Sequence, residues 1–514
     1  MTSWETVVVN ADIRTMDLAN PRAEAISFSD GRILYVGNES RVLAKTGRNL
    51  RIIDAQGRAV LPGFIDCHTH FISLGVWSRR LDLSAARSLS EVLEAVKRRA
   101  GRLNAGSVTA RGGWVLGRGW DEARWPGGRY LDRRELDSAA PDNPVMLIRV
   151  CGHMASLNTK GIARLSGIIG HKGVDRSNGI ITEGALGLAR SHLRPSAGEL
   201  EAGLEHSLRK AKRLGVTSVH DIVDIPKLRA YERARCANRL TVRSCLHFER
   251  GDFESILRMG VRSGWSRPLI RVGGMKLYAD GSFGARTAAL SAPYADAPRE
   301  KGALLHPASR LRTLVQNAEK RGIQLLIHAI GDRAVEQAVS AFSSSLKRPS
   351  RLRHRIEHLE LPQRSELAQM RKLGLIASMQ PNFVGEWGHP GGMMEARLGK
   401  RRYRQADPFK RVLQANVPLI FGSDCMPLDP LYGIHSAVNA PFPAQRLTVT
   451  EAVAAYTSTA ASASFEEGFK GTLSPGKAAD LVFLSADPFK APSRIKEIRV
   501  DTTIFDGNLV WNGP

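Results

Sequence analysis

Eight short apolar runs, each followed by a stretch of helical pattern, constrain this chain more than any other feature. They cover residues 64–71, 216–220, 241–248, 269–279, 323–329, 355–359, 375–380 and 418–422. Runs of this length alternating with helical stretches read as parallel strands joined by crossover helices, because a parallel pair cannot be closed by a tight turn. Eight in succession predict an α/β fold of the TIM (β/α)8 kind, whose functional groups gather at the C-terminal ends of the strands. One interval breaks the rhythm. Roughly 140 residues separate the first two runs, far beyond the length of a βα loop. Residues 76–205 are therefore expected to be an insertion after the first strand that covers the barrel mouth. It holds residues 114–125, the apolar run 144–150 and the sequence Cys151-Gly152-His153.

The two ends of the chain differ from the middle. Residues 1–60 carry short β-type runs at 6–9, 25–28, 32–36 and 51–53, with turn punctuation such as Asp30-Gly31. Residues 470–514 repeat that texture at 480–484 and 499–511. The second of these is broken by Asp506-Gly507, a dipeptide suited to the turn of a hairpin. The ends 1–60 and 470–514 are expected to meet in one small sheet domain, which leaves 61–75 and 206–469 to the barrel.

The strand ends carry the chemistry. Side chains alternate along a strand, so His68 and His70 share a face at the end of the first run, where two imidazoles can grip one metal ion. Lys276 lies inside the fourth run, and a lysine is rarely buried without a partner. Desolvation would favour its neutral amine. Such an amine can add carbon dioxide and become a carbamate, an anion able to bridge two metals. The fifth and sixth runs end in His328 and His358, and the eighth in Asp424, a carboxylate costly to bury unless paired or on a metal. Taken singly, each has a plain structural reading as a satisfied histidine or a lysine at a wet strand end. Jointly they place every type of metal ligand at the C-terminal ends of separate strands. A metal centre of His68, His70, Lys276, His328, His358 and Asp424 is expected. Two divalent cations held close together repel, and neutral imidazoles do not offset that. An anionic Lys276 between them is therefore expected rather than an ammonium.

Composition narrows the classes. The chain has 514 residues, 43% hydrophobic and 24% charged, as in an ordinary soluble globular protein. No apolar run approaches the ~20 residues that cross a membrane. The start of the chain runs straight into a strand-like segment and lacks the features of a secretory signal. The five cysteines are scattered and odd in number, so neither a disulfide framework nor a Cys-x-x-Cys metal site is expected. Reduced thiols and a cytoplasmic location follow. The formal net charge of +24 could attract nucleic acid, but the basic residues are spread along the chain without a nucleic-acid motif.

At this point the sequence resembles the amidohydrolase superfamily, in its YtcJ-like, N-substituted formamide deformylase-like branch (amidohydrolase family 3). The resemblance rests on Pro62-Gly-Phe-Ile-Asp-Cys-His-Thr-His70, Lys276-Leu-Tyr-Ala-Asp-Gly-Ser-Phe-Gly-Ala-Arg-Thr287, His328-Ala-Ile-Gly-Asp-Arg333, Arg355-Ile-Glu-His358 and Gly422-Ser-Asp424. Residues 471–482, Gly119-Trp-Asp121 and the segment 151–158 fit the same branch. Cys151 and Ser156 depart from it, since an acid and an aromatic are usual there, and that bears on the substrate. The resemblance implies a barrel with a β-sandwich built from both termini, a divalent metal centre and hydrolysis of a carbon–nitrogen bond.

The expected function is metal-dependent hydrolysis of a non-peptide, amide-type bond in a small molecule. His68 and His70 would hold one metal, His328 and His358 a second, with carbamylated Lys276 between them. Zinc suits these ligands, at two ions per chain. The metals would acidify a water and polarise the substrate carbonyl, and Asp424 would move the proton from that water to the leaving amine. Trp120, Asp121, His153 and Arg286 are candidates for substrate contact. A homo-oligomer, a dimer, is expected, with neither nucleic acid nor membrane as a partner. Two other readings fit part of the pattern. One is a mononuclear deaminase or other hydrolase using His68, His70, one later histidine and Asp424. The other is a basic nucleic-acid-binding protein on an inactive barrel, which would require lost ligands, and none of the six is lost.

Overall fold

A computed structural model describes residues 4–513 apart from Arg48, 106–112, 151–153 and Lys172. The expected His153 and Cys151 thus lie outside the described residues. The eight strands form in the expected places: β1 (Phe64–Thr69), β2 (Val216–Val223), β3 (Arg243–Glu249), β4 (Ile270–Tyr278), β5 (Leu325–Ala329), β6 (Arg355–His358), β7 (Ile376–Met379) and β8 (Leu419–Phe421). Each pairs in parallel with the next, from β1 through β8.

The edges of this sheet meet. Asp424 N donates to His68 O at 2.8 Å, and Ser423 N donates to the Asp66 carboxylate at 2.9 Å. That approach explains Gly422: a Cβ there would lie 2.4 Å from His68 N, so any side chain would prise β8 away from β1. The result is a nearly closed eight-stranded barrel. Its strands are buried along nearly their whole length because helices cover one face and the barrel interior the other. The helix Asp332–Ser343 shows how. It buries Ala334, Val335, Ala338, Val339 and Phe342, the recurrence of three and four residues that makes one apolar stripe.

Both termini build the second layer. One sheet orders Arg32–Gly37, Ala25–Ser29, Glu5–Val9 and Leu50–Asp54. The other orders Asn508–Asn512, Val500–Phe505, Leu481–Leu484, Ala59–Pro62, Asp12–Arg14 and Arg22–Ala23. In the second sheet an N-terminal strand pairs with a C-terminal one, Val60 opposite Phe483. Val8, Ile13, Ile26, Phe28, Val60, Leu481, Phe483 and Ile504 form the shared core.

The chain divides into two compact units, Met1–Ile72 with Ser207–Pro514, and Ser73–His206. The second unit holds its own six-stranded sheet, ordered Val174–Asp175, Ile180–Thr182, Met154–Leu157, Val145–Arg149, Val115–Trp120 and Leu81–Asp82. The helix Leu89–Asn104 is capped by Ser88, whose hydroxyl accepts from Glu91 N. It lays Val92, Val96 and Ala100 into a core with Val115, Trp120, Leu136 and Leu147.

Candidate metal centre

The six expected ligands converge at the C-terminal ends of the barrel strands. His68 is on β1, and His70 lies one residue beyond it. Lys276 is on β4, His328 on β5 and His358 on β6, while Asp424 follows β8. His68 Nε2 lies 3.4 Å from Lys276 Nζ and 3.9 Å from the Asp424 carboxylate. His70 Nε2 is 3.5 Å from the same carboxylate oxygen. The His358 ring centre is 4.9 Å from that of His68 and 4.4 Å from that of His328. Ligand atoms of His68, His70 and Asp424 all lie within 4.8 Å of one another.

Hydrogen bonds on the far side of the rings decide which nitrogens are free. His68 Nδ1 meets the Glu357 carboxylate at 2.5 Å, and a carboxylate in a salt bridge with arginine can only accept. Nδ1 therefore carries the proton, and the Nε2 lone pair points toward Lys276 and Asp424. His328 Nε2 donates to Gly281 O at 2.9 Å, which leaves its Nδ1 lone pair free. His358 Nδ1 and Asp424 Oδ1 are buried without a hydrogen-bond partner among the described residues. Buried polar atoms are rarely left so. Two correctly prepared imidazoles, a third with an orphaned nitrogen and an orphaned carboxylate oxygen fit a divalent metal.

The electrostatics agree. Burial is the largest cause holding His68 and His358 far below the usual imidazole range. It lowers His328 to about 3, and Lys276 adds to the effect. His70 is lowered in the same direction for the same two reasons. The shifts of all four rings run toward the neutral form, the form a ligand must have. Burial lowers the Lys276 amine and raises the Asp424 carboxyl.

Sequence reasoning missed the residues that hold these ligands. Glu357, completely buried, is gripped by Arg355 at 2.7 and 3.1 Å and by Ser378 Oγ at 2.8 Å. Burial alone would raise its carboxyl, but Arg355 and Lys276 outweigh that and keep it ionised. Arg355 also donates to Cys67 O and Ser378 Oγ. The signal was present: Arg355 and Glu357 alternate onto one face of a buried strand, where neither survives unpaired. Asp280 accepts from Ala289, Ile330 and Gly331 N at 2.8–3.0 Å, tying the chain after β4 to the chain after β5 beside His328. Asp221 accepts from Phe71 N at 2.7 Å, fixing the exit of β1 just past His70.

The other residues expected at the substrate have neighbours of their own. Trp120 is fully buried. Its indole N–H donates to Leu147 O, and its ring stacks on Trp125 at 5.9 Å, so it is a core residue of the second unit. Asp121 faces Arg149 at 3.3 Å and Arg124 at 3.7 Å. Arg286 puts two nitrogens on Asp296, at 3.1 and 2.9 Å, and so anchors its loop. The geometry thus gives Asp121 and Arg286 intramolecular partners.

A second set of metal-type residues, His220, Cys245 and His247, is buried inside the barrel within the same 4.8 Å limit. Its hydrogen bonds argue against a metal. Gly274 N donates to His247 Nδ1 at 2.8 Å, and Arg355 Nη1, which can only donate, faces His220 Nδ1 at 3.0 Å. Both rings must then keep their proton on Nε2, and the remaining nitrogens are donors rather than ligands.

Comparison with known proteins agrees with this geometry. The amidohydrolase family description matches residues 51–511. YtcJ of Bacillus subtilis, an amidohydrolase by name, is 30% identical, covering 97% of this chain and 98% of its own. The N-substituted formamide deformylase of Arthrobacter pascens is 27% identical over 98% of both chains. Among solved structures, an uncharacterized metal-dependent hydrolase from Pyrococcus furiosus is similar with a TM-score of 0.82 at 29% identity, over 94% of this chain and 100% of that one. Among the described residues no helix is long and apolar enough to cross a membrane.

Proposed function

The chain belongs to the amidohydrolase family, and on that premise we propose that it hydrolyses a non-peptide amide bond of a small molecule, with N-substituted formamides as the first class to test. The observation that carries the reading is the prepared ligand set: His68 Nε2, His328 Nδ1, the orphaned His358 Nδ1 and the orphaned Asp424 Oδ1, all at the strands' C-terminal ends. The formamide class is drawn from the similarity to the deformylase of Arthrobacter pascens.

Divalent metal held by His68, His70, His328 and His358, with zinc as the ion and two per chain, would supply Lewis acidity to water and to the substrate carbonyl. The remaining steps belong to the protein. Asp424, 3.5 Å from His70 and 3.9 Å from His68, accepts the proton of the attacking water and returns it to the amine nitrogen as the carbon–nitrogen bond breaks. The products are a carboxylic acid and an amine. Glu357 holds the His68 proton on Nδ1 throughout. Lys276, desolvated and lowered toward its neutral form, adds carbon dioxide with loss of one proton to give a carbamate among the histidines.

The test is a screen of the zinc-loaded protein against N-substituted formamides, acyl amino acids and cyclic amides, reading amine release. Release that is abolished by a chelator and restored by added metal supports the reading. Metal-loaded protein that releases no amine from any of the three classes contradicts it.

A further inference from the structure

We propose that Gln380 reads the amide of the substrate, accepting its N–H through Oε1 and donating to an adjacent acceptor through Nε2. The inference rests on the amide-hydrolysis reading above and names the part of the chain that would impose it. Gln380 directly follows β7, between the strand that carries His358 and the strand that leads to Asp424. Its level is set by Gly422 N, which donates to Met379 O at 3.0 Å. Its direction follows from Ser378. The Ser378 hydroxyl bonds Arg355 and Glu357, and Glu357 in turn bonds His68, so Ser378 faces the barrel interior. Gln380, two residues on and one past the strand's last residue, falls by alternation on the same face, one step nearer the mouth.

Gln380 is 1% exposed, and both its Oε1 and its Nε2 lack a partner among the described residues. Its neighbours are satisfied. Ser378 has the bonds just named. Asn382 donates to Pro427 O at 2.8 Å and accepts from the Tyr456 hydroxyl at 3.0 Å. A carboxamide with donor and acceptor both buried and unused destabilises the fold, and a native chain keeps one for a ligand or a bound water. The residues at the strand ends on either side, His358 closing β6 and Asp424 beyond β8, carry the orphaned atoms Nδ1 and Oδ1. A carboxamide matches a group that itself offers a donor and an acceptor. The substrate class is therefore an amide that retains an N–H. Esters and N,N-disubstituted amides lack that donor and leave Oε1 unpaired, which a site built for the hydrogen bond penalises.

The experiment compares the zinc-loaded parent with Gln380→Met, a variant of similar volume without polar atoms, on N-butylformamide and N-butyl-N-methylformamide. Melting temperature and metal content are measured on the same samples. The expected result is a loss in kcat/KM of about tenfold to a hundredfold on N-butylformamide and little change on the N-methylated analogue. Metal content should be unchanged and the melting temperature unchanged or raised, because an unsatisfied pair has been removed. Equal losses on both substrates, no loss on either, or a lowered melting temperature with lost metal would overturn the proposal. If the parent hydrolyses neither compound, the choice of formamides fails on its own, and the amide reading passes to the other two substrate classes. Binding of the same two compounds to parent and variant, followed by thermal shift, then decides Gln380. Preference for N-butylformamide that vanishes in Gln380→Met upholds the proposal, and equal binding of both compounds overturns it.

Discussion

Arg243 at the start of β3 and Asp424 just past β8 stand at opposite ends of one barrel, and their surroundings differ in kind. Arg243 lies 2.9 Å from Asp480 and 2.7 Å from Asp506, under the rings of Phe469 and Phe505. Nearby, Lys470 meets Glu466 at 2.9 Å and the Ser218 hydroxyl at 3.1 Å. Gln324 donates to two carbonyls, of Arg353 and Ala463. At this N-terminal end these two buried charges and this amide have each found a complement. At the other end His358 Nδ1, Asp424 Oδ1 and the whole Gln380 amide have none among the described residues. One end is finished by the chain itself, and the other is prepared for something the chain does not supply.

The comparison can be broken from either side. The largest effect is expected from Asp424→Asn, which keeps the shape and removes the proton acceptor. Turnover should fall by roughly two to four orders of magnitude, while circular dichroism and most of the bound metal remain. Near-normal turnover would take Asp424 out of the proton-transfer role. At the opposite end, Asp480→Ala strips Arg243 of its buried partner. The expected loss is about 2–3 kcal/mol in denaturant unfolding, below the ~3–5 kcal/mol of a fully orphaned charge because Asp506 still faces the guanidinium. Turnover of the folded fraction should not change. An Asp480→Ala protein of full stability would show that the pairing there is not structural.

Smaller effects sharpen the contrast. Glu357→Gln weakens the grip on the His68 proton and offers an amide N–H to Arg355, which has no use for it. Metal affinity should drop about tenfold to a hundredfold, read by competition with a chromogenic chelator, and unchanged affinity would remove Glu357 from the orienting role. Arg286→Ala is expected to change stability by less than about 1 kcal/mol, because Asp296 keeps Arg397 as a partner. KM should be unaffected, and a large rise in KM would return Arg286 to the substrate.

How far the sequence could be read follows the same division. The eight strands were legible because each is an apolar run closed by a polar or glycine-bearing exit. The ligands were legible because His68, His70, Lys276, His328, His358 and Asp424 are the wrong residues for such exits unless something binds them. Partnerships across the barrel were not legible. Nothing local to β6 says that Glu357 will reach His68, a residue 289 positions away. Trp120 reads in the sequence as a candidate for substrate contact. Its burial is set by strand pairing with Val145–Arg149 and by the stacked Trp125, both of which depend on the fold of the whole unit. Gln380 is polar and next to a proline, and in the sequence it is simply the last residue of the seventh run. Only the burial of both its amide atoms marks it out.

The most direct test of the central claim is metal content, measured by elemental analysis on protein purified without chelators, for the parent and for Lys276→Ala. The account predicts one to two equivalents of divalent metal per parent chain. In Lys276→Ala it predicts fewer, with metal and activity partly restored together by a short carboxylic acid in the medium. A folded parent that contains no transition metal and takes none up would contradict the account. A Lys276→Ala protein with full metal and full activity would contradict the carbamate.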